Sequence, residues 1–191
     1  MGEARNALDG VVAEADRAGD IIHRIRDHIN KAPPQTDRLD MNEAIRDAIM
    51  LTRGEAVKSC VSIQTQLAEG LPFLRGDRVQ VQQVMVNLIV NAIQAMSGAG
   101  DRRRELQIST ETDEAEGVRV GVRDTGPGLA PENLLRVFEP FYTTKAEGMG
   151  MGLPICRSIV EAHGGRLWAT ACEPHGALFQ FTIPAEQDAT S

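Results

Sequence analysis

Asn91, then Asp124-Thr-Gly-Pro-Gly128, then Gly148-Met-Gly-Met-Gly152 follow one another on a chain of 191 residues, each with a chemistry that a nucleoside triphosphate requires. The Asn91 carboxamide offers a neutral hard oxygen of the kind Mg²⁺ prefers. The Asp124 carboxylate can accept the exocyclic amino hydrogen of adenine, a donor guanine lacks at that position. Gly148, Gly150 and Gly152 let backbone N–H groups converge on phosphate oxygens. Each has a plainer reading alone: a helix amide satisfied by backbone, an Asx turn, a hinge. Their order and separation make an ATP-binding module the expectation.

The elements that must position these residues can be read from periodicity. From Val79 to Gly100 no residue is charged, and Gln80, Gln83, Asn87, Asn91 and Gln94 recur at steps of three and four beside an apolar band of Val81, Val84, Leu88, Ala92 and Ala95. This predicts a helix with one amide face. Such a stripe suits the wall of a cavity, although amides that satisfy one another in a partly buried interface would look the same. Leu39 to Leu51 predicts a second helix, with Met41, Ile45, Ala48 and Ile49 inward, and 152–163 a third. Strands are expected at Val61 to Leu67, Leu106 to Thr112, Val118 to Val122, Arg166 to Ala171 and Ala177 to Ile183. This order predicts an α/β fold, a two-layer α/β sandwich in which helices cover a mixed sheet. The connection 124–152, rich in Gly, Pro and Thr, is long enough to expect function in it.

The first thirty residues differ in kind. Leu8, Val11, Ala15, Ala18, Ile22, Ile25 and Ile29 form a heptad seam between charged faces. A helix about 45 Å long cannot bury such a seam by itself, so a homodimer through residues 8–29, or packing on the rest of the chain, is expected. Pro33-Pro34 ends it. The expected organisation is a dimerisation-type helix at 1–32, a linker at 33–37, an ATP-binding domain at 38–185 and a tail at 186–191.

Composition narrows the function classes. The formal charge of −7 argues against nucleic acid as a partner, and 42% apolar content suffices for a core. Cys60, Cys156 and Cys172 lack metal or redox spacing and fit reduced thiols in a cytoplasmic setting. No run reads as a membrane span or a signal peptide, so no membrane contact by this chain is expected, although a longer full protein could be membrane-attached.

At this point the motifs resemble the GHKL ATPase superfamily (gyrase, Hsp90, histidine kinase, MutL), and within it the catalytic domain of bacterial sensor histidine kinases. Asn87-Leu-Ile-Val-Asn91-Ala resembles the N box and Asp124-Thr-Gly-Pro-Gly128 the first glycine box. Phe138-Glu-Pro-Phe141-Tyr-Thr-Thr-Lys145 resembles the F box and Gly148-Met-Gly-Met-Gly152-Leu the second glycine box, while Glu161-Ala-His-Gly-Gly165 favours the kinase branch. The resemblance implies a Bergerat-type ATP-binding fold, ATP and Mg²⁺ as cofactors, and a response regulator receiver domain and an acceptor-histidine helix as partners. It implies nucleotide contacts by Asn87, Asn91, Asp124, Gly126, Gly128, Thr143, Thr144, Lys145, Gly148, Gly150, Gly152 and Leu153, with Asn91 on the metal. Phe138 and Phe141 are expected to pack the base of the 143–152 lid.

Three departures qualify the mechanism. ATP-hydrolysing relatives carry an acid where this chain has Asn87, and an amide cannot take a proton from water, so little intrinsic hydrolysis is expected. The acceptor pattern of histidine, acid and later proline is missing, and His23, His28, His163 and His175 fit surface or capping positions. No catalytic residue is therefore named. Many kinases also have Lys or Arg where this chain has Gln94, which shifts phosphate charge onto Mg²⁺ and Lys145. The expected function is the ATP-binding part of a histidine kinase that presents the γ-phosphoryl to a histidine elsewhere. An ATPase clamp of the gyrase or Hsp90 kind, and a non-enzymatic nucleotide-gated regulator or docking module, are the alternatives.

Overall fold

The computed structural model describes residues 37–97, 103–113, 117–145 and 149–186. The heptad-patterned segment and the last residues of the tail lie outside them. The described residues form two sheets and three helices: β1 (Asp37–Leu39), α1 (Met41–Lys58), β2 (Ser62–Leu67), β3 (Leu74–Gly76), α2 (Arg78–Ser97), β4 (Glu105–Thr112), β5 (Val118–Asp124), α3 (Gly152–Ala162), β6 (Arg166–Ala171) and β7 (Ala177–Ile183). Short 3₁₀ turns at Pro131–Asn133 and Arg136–Phe138 interrupt the long connection.

Local chemistry explains the helix starts. Asp40 caps α1 by accepting the Glu43 N–H at 3.0 Å, and Asp77 caps α2 by accepting from Val79 and Gln80 at 2.9 and 3.2 Å. Helix α1 continues to Lys58, well past the expected end at Leu51, because Ala44, Ala48, Thr52 and Ala56 keep a small buried face at steps of four. Ile49, expected inward, is only partly buried. In α2 the buried band is broader than expected, with Met85, Ile89, Ile93 and Met96 beside Val81, Val84, Leu88 and Ala92, and Ala95 is half-buried.

Five strands form a sheet in the order β2-β4-β5-β7-β6. Strands β2 and β4 run parallel, and the remaining neighbours are antiparallel. Strict alternation along β7 puts Ala177, Phe179, Phe181 and Ile183 inward. The outer face keeps partly exposed polar groups, as antiparallel sheets with one wet face do. The three helices lie on the buried face, with Leu88 and Ile89 of α2 inaccessible to solvent; each is worth roughly 1.5–3 kcal/mol of transfer free energy. This is the mixed α/β sandwich expected from sequence. The three-residue strands β1 and β3 were not expected. They pair antiparallel, with Leu74 bridging to Ala185, so Asp37 lies in a strand rather than in the linker.

Candidate nucleotide-binding site

Asp124 is the last residue of β5 and continues its inward parity after Val118, Val120 and Val122. The carboxylate is therefore carried under the helices, where it is 3% exposed. Its Oδ1 accepts the Gly126 N–H at 2.8 Å and the Ala177 N–H at 3.4 Å, while no described residue donates to Oδ2. Burial raises the Asp124 pKa above the ordinary carboxylate range, opposed by those two N–H groups and by the charge of Lys145. A buried carboxylate held by one oxygen leaves the other facing outward from that anchor, free to accept a ligand N–H.

The loop after Asp124 is shaped by backbone contact. Gly176 has φ +103 and its α-carbon sits against the Asp124 carbonyl, with no room for a side chain. Gly128 backs onto the same Gly176. This second turn, between β6 and β7, supplies Ala177 to Asp124.

On α2, Asn87 and Asn91 are half-buried one turn apart. Asn87 lies beside Cys156 of α3, whose thiol is pushed up to about 12 by burial against a smaller opposite pull from the Asn87 amide. Asn91 lies nearer the α3 start: a Cβ on Gly152 would be 3.8 Å from Asn91 Nδ2. The Lys145 ammonium reaches this wall, with Nζ at 2.8 Å from Gln94 Oε1 and 3.3 Å from Asn91 Oδ1. Burial lowers the Lys145 pKa, while the Asp124 charge raises it in part.

The second glycine run begins α3. Gly150 takes φ +65 because its carbonyl accepts from Phe141 N–H at 3.0 Å while its α-carbon meets the Tyr142 backbone. No side chain caps α3, whose N-cap residue is Met151. Pro154 has no N–H and the Ile155 N–H bonds the Met151 carbonyl, so the first turn offers an anion the N–H groups of Gly152 and Leu153, which no side chain among the described residues caps. Thr143 Oγ1 accepts the Lys145 N–H at 3.1 Å, and Thr144 is exposed. Gly148 lies outside the described residues. Phe138 packs edge-on to Phe179 of β7 in the core. Phe141 does not pack: it is 77% exposed with φ +65, because the Gly150 contact turns its backbone outward.

The structure thus brings Asn91, Asp124, Gly126, Lys145, Gly152 and Leu153 around one region, with Asn87 turned toward α3. Sequence reasoning did not single out Ala177 and Gly176; a turn glycine between two strands was their only signal.

Residues 76–187 match the model of the histidine kinase-, DNA gyrase B-, and HSP90-like ATPase family. The chain is 39% identical over 186 residues to the sensor protein FixL of Bradyrhizobium diazoefficiens, covering 97% of this chain and 36% of that protein. It is 36% identical over 183 residues to the sensor histidine kinase TmoS of Ectopseudomonas mendocina, covering 95% and 19%. The chain therefore spans well under half the length of these relatives. Among solved structures, the catalytic domain of the histidine kinase ThkA superposes with a TM-score of 0.68 at 33% identity, covering 78% of this chain and 95% of that one. ThkA in complex with the response regulator protein TrrA gives 0.75 at 29%, covering 92% and 49%. The chain belongs to the histidine kinase-, DNA gyrase B- and HSP90-like ATPase family and is homologous to the ATP-binding catalytic domains of its sensor histidine kinases.

Proposed function

We propose that this chain is the ATP-binding catalytic portion of a two-component sensor histidine kinase, presenting the γ-phosphoryl of ATP to a histidine outside the chain. The observation that carries this is the meeting of a buried, half-satisfied carboxylate, Asp124, with a cationic and N–H-rich wall made of Lys145 and the uncapped start of α3. Asp124 Oδ2 accepts the adenine amino hydrogen. Lys145, Thr143, Thr144 and the backbone of Gly150, Gly152 and Leu153 hold the phosphates, with Gly148 assigned to the same run from sequence. Gly126 and Gly128 line the base.

A hard divalent cation fits the donor chemistry at Asn91. Its neutral carbonyl oxygen already seats a positive group, the Lys145 ammonium. Mg²⁺ bound there, with Asn87 steadying its surroundings, would neutralise triphosphate charge and complete its ligands with phosphate and water. The Asn87 amide cannot accept a proton from water, which favours holding ATP intact. Transfer then depends on positioning and charge stabilisation, which this wall supplies.

The proposed layout is a pairing helix at 1–32, a short linker, and the ATP-binding domain from 38 to 185, acting in the cytoplasm. Among the described residues no helix is long and apolar enough to cross a membrane. The proposed partners are an acceptor-histidine helix and a receiver domain of the response regulator class. The chain is incubated with γ-labelled ATP, Mg²⁺ and a separate acceptor-helix fragment. Labelled phosphohistidine on the fragment is expected. Release of free phosphate instead would favour the ATPase clamp, and binding without either product a nucleotide-gated regulator.

A further inference from the structure

Gln94 has no place in the binding scheme above, yet it makes the shorter contact to Lys145. The lysine Nζ is 2.8 Å from Gln94 Oε1 and 3.3 Å from Asn91 Oδ1, two oxygens three residues apart on the same face of α2. The approach is fixed at the other end as well, since the Lys145 backbone N–H is bonded to Thr143 Oγ1 at 3.1 Å. The ammonium therefore bridges two carboxamide oxygens across 51 and 54 residues of sequence.

We infer that Gln94 is a positioning residue that docks the Lys145 ammonium against Asn91, so that the lysine and a divalent cation contend for the same carbonyl oxygen. Two positive charges cannot both sit within about 3 Å of one oxygen without strong repulsion. When a divalent cation takes Asn91, Lys145 has to leave both carboxamide oxygens, so the Gln94 contact is lost in the exchange and holds the lysine only in the cation-free arrangement. A hydrogen-bond acceptor at 94 is what this arrangement requires. A lysine or arginine there would repel the ammonium.

The test reads the contact directly before it reads its consequence. The sequence has three lysines, Lys31, Lys58 and Lys145, so acylation by a water-soluble acetylating ester can be followed separately at each by peptide mass spectrometry. Gln94 is exposed and alanine is a good helix former, so Gln94→Ala keeps the fold. Gln94→Ala is expected to speed acylation of Lys145 by about two- to tenfold, the equivalent of one ordinary hydrogen bond, while Lys58 is unchanged. An unchanged Lys145 rate overturns the inference, whatever the protein binds.

The second arm rests on the nucleotide reading. The Mg²⁺ concentration giving half-maximal binding of a fluorescent ATP analogue should fall by a similar factor in Gln94→Ala. In a Lys145→Met background the same substitution should have no effect. A full shift that persists without the lysine would also overturn the inference. Failure of the analogue to bind at all would refute the proposed function, and the acylation rates would still decide the contact.

Discussion

At the scale of single residues, Asp124 has the least freedom of choice. Its carboxylate is buried at the end of β5, its Oδ1 is taken by the N–H groups of Gly126 and Ala177, and its pKa is raised chiefly by desolvation. A folded-state pKa above the unfolded one means that the group favours folding most below its unfolded pKa. That contribution is lost as pH rises through the folded value, so at neutral pH the ionised carboxylate works against stability. Asp124→Asn keeps the Oδ1 acceptor, removes the buried charge and turns the open oxygen into a donor. Its Tm at pH 7 should exceed the parent's, the gap shrinking as pH falls through the raised Asp124 pKa and levelling off below the ordinary carboxylate range. ATP affinity should drop by about 10²-fold or more, because two donors would face each other at the adenine amino group, with GTP much less affected. A variant that loses ATP and GTP equally in calorimetry would remove the adenine role. Asp124 and Asn91 were legible in the sequence because each carries its chemistry on its own side chain. Ala177 was not, since it contributes a backbone donor brought 53 residues across the fold by the pairing of β5 with β7.

At the scale of elements, the nucleotide wall depends on how α2 is held against α3. His163, at the end of α3, donates from Nδ1 to the Ile159 carbonyl at 2.8 Å and accepts at Nε2 the Asp77 N–H at 3.0 Å. One imidazole thus joins the end of one helix to the cap of the other, and Gly76 leaves it room, since a Cβ there would fall 2.6 Å from the ring. His163→Ala strands the partly buried Asp77 N–H and should cost about 1–3 kcal/mol in urea unfolding with an unchanged m-value. A loss within about 0.5 kcal/mol would class His163 with ordinary surface positions. Helix α1 offers the opposite case. Gly54 is an exposed interior residue with open space around its α-carbon, so Gly54→Ala should add about 0.5–1 kcal/mol. No gain would mean that α1 frays before Gly54 in solution. The long helices and paired strands were legible because their apolar periods persist over many residues. Strands β1 and β3 were not, because three residues are too few for alternation to show.

At the scale of the whole molecule, a net charge of −7 opposes the approach of a polyanionic nucleotide. The site answers with local positive character, Lys145 and the first turn of α3, whose start no side chain caps. In the proposed function the phosphoryl acceptor comes from outside residues 38–185, and the heptad seam of residues 8–29 is the sequence feature suited to bringing copies of the chain together. A lone amphipathic helix gains nothing by exposing Ile22 and Ile25 to water, whereas paired seams bury both at roughly 1.5–3 kcal/mol per side chain. The intact chain should therefore sediment as a dimer at micromolar concentration. Ile22→Asp with Ile25→Asp should sediment as a monomer, since an aspartate at an inward heptad position must be desolvated without a partner. Because 38–185 carries its own core, the same variant should keep its circular dichroism between 200 and 240 nm largely intact and its ATP affinity unchanged. A parent that sediments as a monomer removes the pairing role of the segment and leaves the seam to pack on the rest of its own chain. A variant that stays dimeric would instead place the dimer contact within the ATP-binding domain.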